Sequence, residues 1–249
     1  MTGTHILNVA AAHAARYLET LDSRPIATSK TIEELRRRLA KPLPETGSEP
    51  EAVIDDLVRD AEGGLLGSGS GRFFGWVIGG TLPVALAADW LTSTWDQNGA
   101  SNLTSPAEAV VEEICGEWAK ELLGIPSSAS FAFVTGCQMA HTTALAAARH
   151  KLLEDRGIDV ERSGLSGTPP LKILTTLNRH ESIIRSVRLL GHGTRALEYL
   201  PTDNRGRIEI GALEAALKRQ GESPVIVCLQ AGDLNTGAFD PFDRACDIA

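Results

Sequence analysis

From residue 130 onward, short uninterrupted apolar runs alternate with stretches of helical spacing. The runs SFAFV (130–134), LKILTT (171–176), RALEYL (195–200) and PVIVCLQ (224–230) read as strands. Helices are predicted over 136–156, 180–190 and 211–219, with another starting at Asp243. A strand that is apolar at successive positions has no face left for water, so its sheet must be covered on both sides. Strand–helix alternation of this kind builds parallel neighbours. The expected fold class is α/β, an incomplete three-layer α/β/α arrangement with a mostly parallel sheet, preceded by a helical N-terminal segment.

That segment follows different rules. Thr31 precedes IEELRRRLA and has Glu34 three residues on, the pattern of a capping box. KPLPETGSEP (41–50) reads as a loop, and 51–66 carries apolar residues at helical spacing. GGLLGSGSG (63–71) reads as a flexible connection. Ser105-Pro106-Ala107-Glu108 offers an N-cap, a proline at the first helical position and an early acid, and Gly124 with Pro126 marks where that helix ends. The expected division is 1–104 as a helical arm and 105–249 as the α/β part.

Bulk properties exclude several classes. With 24 basic against 32 acidic residues the net charge is −8, and no basic block faces a nucleic acid. The run Arg36-Arg37-Arg38 sits beside Glu33 and Glu34 and reads as a solvated helix face. Cys115, Cys137, Cys228 and Cys246 form no C-x-x-C pair, so neither a zinc site nor a disulfide frame is expected. Reduced thiols fit a cytoplasmic setting. The N-terminus lacks a basic region followed by a long apolar one, so no signal peptide is expected. The most apolar stretch, 77–90, is interrupted by Gly79, Gly80 and Pro83 and is too short to span a bilayer.

In open α/β sheets, ligands sit beyond the carboxyl ends of the strands. Three such ends carry chemistry. At Thr135-Gly136-Cys137-Gln138 the chain turns into a helix, whose first amides and positive dipole end suit a phosphate, to which the Thr135 and Gln138 side chains can add donors; a plain tight turn capped by Thr135 is the bland reading. His180 stands where the next helix begins. It can lie flat on an aromatic cofactor ring or move a proton, or it can simply cap the helix. The loop 230–241, with Asp233 and Asp240, is a natural ligand wall, or a connection capped by Asp240.

Taken together, TGCQMAHTTALAAARH (135–150), LNRHESIIRSVRLLG (177–191) and QAGDLNTGAFDPFD (230–243) resemble the pyridoxal-phosphate (PLP) dependent group II amino-acid decarboxylases. RFFGW (72–76) is similar to that family's substrate-side segment and NLTSPA (102–107) to the stretch before the helix into its large domain, which makes 105–249 part of that domain; the likeness runs from about Leu65 to Ala249. The resemblance implies a fold-type-I homodimer acting on an amino-acid substrate, with PLP as cofactor. It implies that Gly136, Cys137 and Gln138, with Thr135 beside them, hold the phosphate. It also implies that His180 stacks on the pyridine ring as the catalytic histidine, and that Asp233 lies near the cofactor. Three positions depart from the family pattern: Asp233 replaces a Thr or Asn, and Met139 and His141 replace the commoner Glu and Asn.

The family also needs an aspartate for the pyridinium nitrogen and a Schiff-base lysine, both beyond the G-A-F-D-P loop. No lysine follows Lys218, so the expectation is a truncated, inactive fragment of such an enzyme. Other readings are a different fold-type-I lyase or aminotransferase, a non-catalytic dimerisation partner, and a nucleotide-binding α/β domain. The last is weakened because no G-x-G-x-x-G or Walker-type run occurs at the Gly136 turn.

Overall fold

The structure is a computed structural model and describes residues 3–249. Its backbone contacts divide the chain into two compact units, one ending at Gln97 and the other running Asn98–Ala249.

The first unit is helical: α1 (Thr4–Thr20), α2 (Ile32–Leu39), α3 (Pro50–Ala61) and α4 (Pro83–Trp95). The capping box is present at α2. Thr31 accepts from the Glu34 amide at 3.2 Å, and the Glu34 carboxylate accepts from the Thr31 amide at 2.8 Å. The glycine-rich stretch after α3 is tied down rather than loose. The Gly63 carbonyl accepts from the Ser29 and Lys30 amides, and the Gly67 amide donates to Ile26. A Cβ on Gly64 would fall 2.5 Å from a Leu35 methyl, so a larger residue there would have to push the Leu35 side chain aside. In the apolar stretch 77–90, Pro83 opens α4 at its first position, where its missing N–H has no helical partner to lose.

The second unit contains α5 (Pro106–Leu123), α6 (Gly136–Glu154), the single-turn α7 (Val160–Ser163), β1 (Lys172–Thr176), α8 (Glu181–Leu189), β2 (Leu197–Leu200), α9 (Ile210–Gln220), β3 (Val225–Val227) and α10 (Phe242–Ile248). The sheet order is β2-β1-β3, and both pairings are parallel. Ile173 lies opposite Leu197 on one side and Ile226 on the other; Leu174 faces Glu198 and Val227. Side chains alternate faces along a strand, so these two neighbours enter different cores. Ile173 joins Leu145 of α6 and Val187 of α8, whereas Leu174 joins Leu213 and Ala216 of α9 and Ala245 of α10. Ile173, Leu174, Val187 and Leu213 have no exposed surface. The sheet is therefore covered on both faces, and the three layers expected from the apolar runs are present.

Two expectations need correction. Residues 130–134 are not a strand: the segment pairs with no ladder among the described residues. It is held by side chains instead. The Phe131 ring lies over Gly116 so closely that a Cβ there would sit 2.1 Å from it, and Lys120 donates to the Ser127 and Ala129 carbonyls. Ser105 does precede α5, but its side chain makes no cap bond and its Oγ is buried without a partner among the described residues.

Candidate functional site

β1 ends at Thr176, and the chain then turns through Arg179 into α8. His180 is the N-cap of that helix, with extended backbone (φ −67°, ψ 148°) and an exposed ring. Its Nδ1 accepts from the Ser182 amide at 3.2 Å. The capping reading of this histidine is thus realised by one ring edge, which leaves the ring faces and Nε2 uncommitted among the described residues.

α6 begins at Gly136 with φ +74°, a left-handed conformation that glycine adopts at little cost. A Cβ there would meet nothing within 4 Å, so the space over the turn is open. The Gly136 amide is engaged: it donates to the Val134 carbonyl at 2.9 Å, closing a tight turn about Thr135 (φ −75°, ψ 90°). The amides of Cys137 and Gln138 have no acceptor among the described residues, as expected for the first turn of a helix. The Thr135 side chain makes no cap bond.

Gln138 does not aim its side chain at that opening. Its Nε2 donates to the Ser186 Oγ at 2.8 Å and the Ser182 carbonyl at 3.2 Å, which ties α6 to α8. What Gln138 offers an anion is its backbone N–H, not the side-chain donor expected from sequence. Thr142 strengthens the same seam, with its Oγ1 2.9 Å from the Ser186 Oγ.

His141, one turn beyond Cys137, links the two helix starts. Its Nδ1 lies 2.7 Å from the Ser182 Oγ, which lies 2.7 Å from the His180 Nδ1. Its Nε2 lies 3.6 Å from the Cys137 Sγ. Burial, with the neighbouring His180, holds the His141 imidazole below its ordinary value. Cys137, His141, Ser182 and His180 thus form one continuous cluster, and the anion-ready amides and the exposed imidazole sit at its two ends. Cys137 and His141 stand four apart on one helix face, a spacing visible in the sequence; Ser182 as the bridge gave no such signal.

The loop from Gln230 to Asp240 is built differently. The Asp233 Oδ1 accepts from the Asn235 and Thr236 amides and the Thr236 hydroxyl, and its Oδ2 accepts from the Gln230 Nε2. These bonds, led by the Thr236 amide, hold its carboxyl below the usual range. Asp233 makes no hydrogen bond to α6 or α8 among the described residues. Asp240 is not the cap of α10, whose N-cap is Pro241. It is buried, and its two oxygens accept from the Ile208 and Gln230 amides at 2.7 Å each.

The donor set at the Gly136 turn suits a phosphate ester: two unengaged amides at the positive end of a helix dipole, under open space. Carried on a sheet covered on both faces, with an exposed imidazole two residues before Ser182 of the α6–α8 seam, it has the form of an anion-anchored cofactor site of an α/β enzyme. The pyridoxal-dependent decarboxylase conserved domain matches residues 33–249, and the chain belongs to that family. The aromatic-L-amino-acid decarboxylase of Bacillus atrophaeus is 27% identical over 235 residues, which span 93% of this chain and 47% of that protein. The crystal structure of mouse CSAD superposes with a TM-score of 0.88 at 25% identity, covering 98% of this chain and 52% of that one. Oryza sativa TDC, crystallised with PLP, shares the fold at a TM-score of 0.87 and 20% identity, covering 97% of this chain and 54% of that one. The chain thus spans about half the length of the relatives it matches.

Each lysine of the chain has a partner outside the Gly136 turn. Lys30 and Lys41 pair with Glu34 and with Asp56 and Asp60. Lys120 donates to Ser127, Lys151 and Lys218 pair with Asp155 and Glu214, and Lys172 donates to the Arg195 carbonyl. No cluster of metal-ligating side chains occurs among the described residues, and no helix among them is long and apolar enough to cross a membrane.

Proposed function

We propose that this chain carries the phosphate-anchoring and ring-stacking part of a PLP-dependent amino-acid decarboxylase site. The observation that carries the reading is the pair of unengaged amides, Cys137 and Gln138, joined through Ser182 to an exposed His180. In this reading Gly136 gives the turn its left-handed bend, and Cys137 and Gln138 donate to the phosphate. Thr135 shapes the approach, and His180 lays its ring against the pyridine face. Asp233 acts from a distance by fixing the shape of the loop that walls the site. When bound, PLP supplies the electron sink for the pair left at the α-carbon as CO₂ departs. The residues here bind and orient; a lysine to hold the cofactor covalently is not among them.

The reading carries with it an amino-acid substrate, a homodimeric assembly and a cytoplasmic setting. Exposed Trp118, Leu122, Leu123 and Phe133 in the second unit support assembly, because large apolar side chains left in water favour a partner surface. The test is a titration of the chain with PLP, with pyridoxal and with inorganic phosphate. Saturable binding of PLP that inorganic phosphate displaces, with pyridoxal much weaker, is expected. No turnover of amino acids and no borohydride-trapped adduct at the cup are expected from this chain alone. Equal binding of PLP and pyridoxal would remove the phosphate cup from the reading.

A further inference from the structure

We propose that the Ser182 backbone amide holds the proton of His180 on Nε2 and that the Ser182 hydroxyl, as a positioning group, passes this order on to His141, so that the two rings hold opposite tautomers. The order of the hydrogen bonds follows from donor counting. The His180 Nδ1 accepts from the Ser182 backbone N–H at 3.2 Å, so in the neutral ring this nitrogen is bare. The Ser182 Oγ, 2.7 Å from the same nitrogen, must then be the donor of that contact. A hydroxyl has one hydrogen. Its second contact, to the His141 Nδ1 at 2.7 Å, therefore has serine as acceptor and His141 as donor. Neutral His141 then carries its proton on Nδ1, and its bare Nε2 faces the Cys137 thiol at 3.6 Å.

One backbone amide thus orients three side chains. Cys137 S–H points to His141, His141 Nδ1–H to Ser182, and Ser182 O–H to His180. The consequence is that the two histidines hold opposite tautomers, and His180 presents Nε2–H at its outer edge. Ser182 is buried with 4% exposure, so water does not compete for its hydroxyl. His141 stands where the resembling family more often has Asn.

The hydrogen-bond order stands on the geometry alone. Its purpose, a fixed imidazole edge for a ring stacked on His180, rests on the function proposed above. The test separates the two. The ¹⁵N-labelled chain, without added cofactor, is examined by long-range ¹H–¹⁵N spectra at about pH 8, above the ordinary imidazole range. His141→Asn and His180→Gln assign the two rings. A pyrrole-type Nδ1 on His141 with a pyrrole-type Nε2 on His180 is expected. Ser182→Ala moves the His141 proton to Nε2, and Ser182→Thr, which keeps the hydroxyl, restores it. The same tautomer on both rings of the unmutated chain overturns the proposal, whatever the variants do. So does a His141 signature that ignores the loss of the serine hydroxyl. A parallel PLP titration that shows no binding while the tautomers are as stated leaves the hydrogen-bond order intact and removes only the functional reading.

Discussion

The two polar clusters at the ends of β1 and β3 differ in what they leave unengaged. At the start of α6, the amides of Cys137 and Gln138 have no acceptor among the described residues, and the ring faces of His180 are open. In the loop after β3, the Asp233 carboxylate takes four donors from its own loop, and Asp240 takes two more amides in a buried position. Buried or half-buried polar groups that find all their partners internally hold a shape. Groups left without them at a helix start are ready for a ligand. Both regions are glycine-containing turns, but the first leaves donors free and the second satisfies its own acceptors; in the function proposed above the first is the binding edge and the second the wall.

The largest expected effect lies in the wall. Asp240→Ala leaves the Ile208 and Gln230 amides without their acceptor in a buried setting. A charge-assisted pair of this kind predicts a loss of about 3 kcal/mol in unfolding free energy, read as a lower urea midpoint at unchanged slope. A loss below about 1 kcal/mol would mean that water reaches those amides and that the contrast with the α6 turn is false.

Next is Cys228, where β3 runs into the same loop. Its amide donates to the Leu174 carbonyl, and burial pushes its thiol from 9.0 up to about 11. Between those values the unfolded chain loses the thiol proton while the folded chain keeps it. Stability therefore falls as pH rises from about 9 to about 11 and levels off above, by about 2–3 kcal/mol in all. Comparing alkaline urea curves of the chain and of Cys228→Ala isolates this contribution: the variant should show a shallower fall. Equal slopes would show that the root of the loop is open to water.

The sheet and its covering helices were legible because each element from Lys172 onward has a strong local pattern and lies beside its neighbours in sequence. Ser130–Val134 has an equally apolar text, yet a strand exists only through a partner, and the text of one segment does not contain that partner. α4 was hidden because Gly79, Gly80 and Pro83 read as interruptions, whereas Pro83 is its first residue. Gly136, Cys137, Gln138 and His180 were singled out from the sequence as helix starts, and they do stand at the starts of α6 and α8. The role of the Gln138 side chain and the bridge through Ser182 were not legible in it. Both join residues more than forty positions apart, and no periodicity within one segment encodes such a contact.

At the binding edge, Gly136→Ala tests the turn itself. With φ +74° the backbone disfavours any Cβ by about 1–2 kcal/mol, although the space around it is empty. Relieving that strain rotates the Cys137 and Gln138 amides away from a common anion. Phosphate-dependent PLP binding should weaken about tenfold, equivalent to about 1.4 kcal/mol, with a melting temperature lowered by only a few degrees. Undiminished affinity would move the anion elsewhere.

The smallest effect is expected from Asp233→Asn, and it is the sharpest comparison of the two clusters. The amide oxygen can still accept from the Asn235 and Thr236 amides, so the turn keeps its main bonds; what is lost is the negative charge and the favourable contact with the Gln230 Nε2. Because the folded carboxyl lies below its ordinary value, its charged form stabilises the loop above pH 4 or so, and that contribution fades as pH falls through the depressed value. The variant should therefore match the parent chain in acid and fall slightly behind it at neutral pH. Affinity for PLP should rise or stay level, because a carboxylate acting from the loop can only repel an anion. A drop in affinity as large as that of Gly136→Ala would place the carboxylate in contact with the ligand and make the wall part of the binding edge.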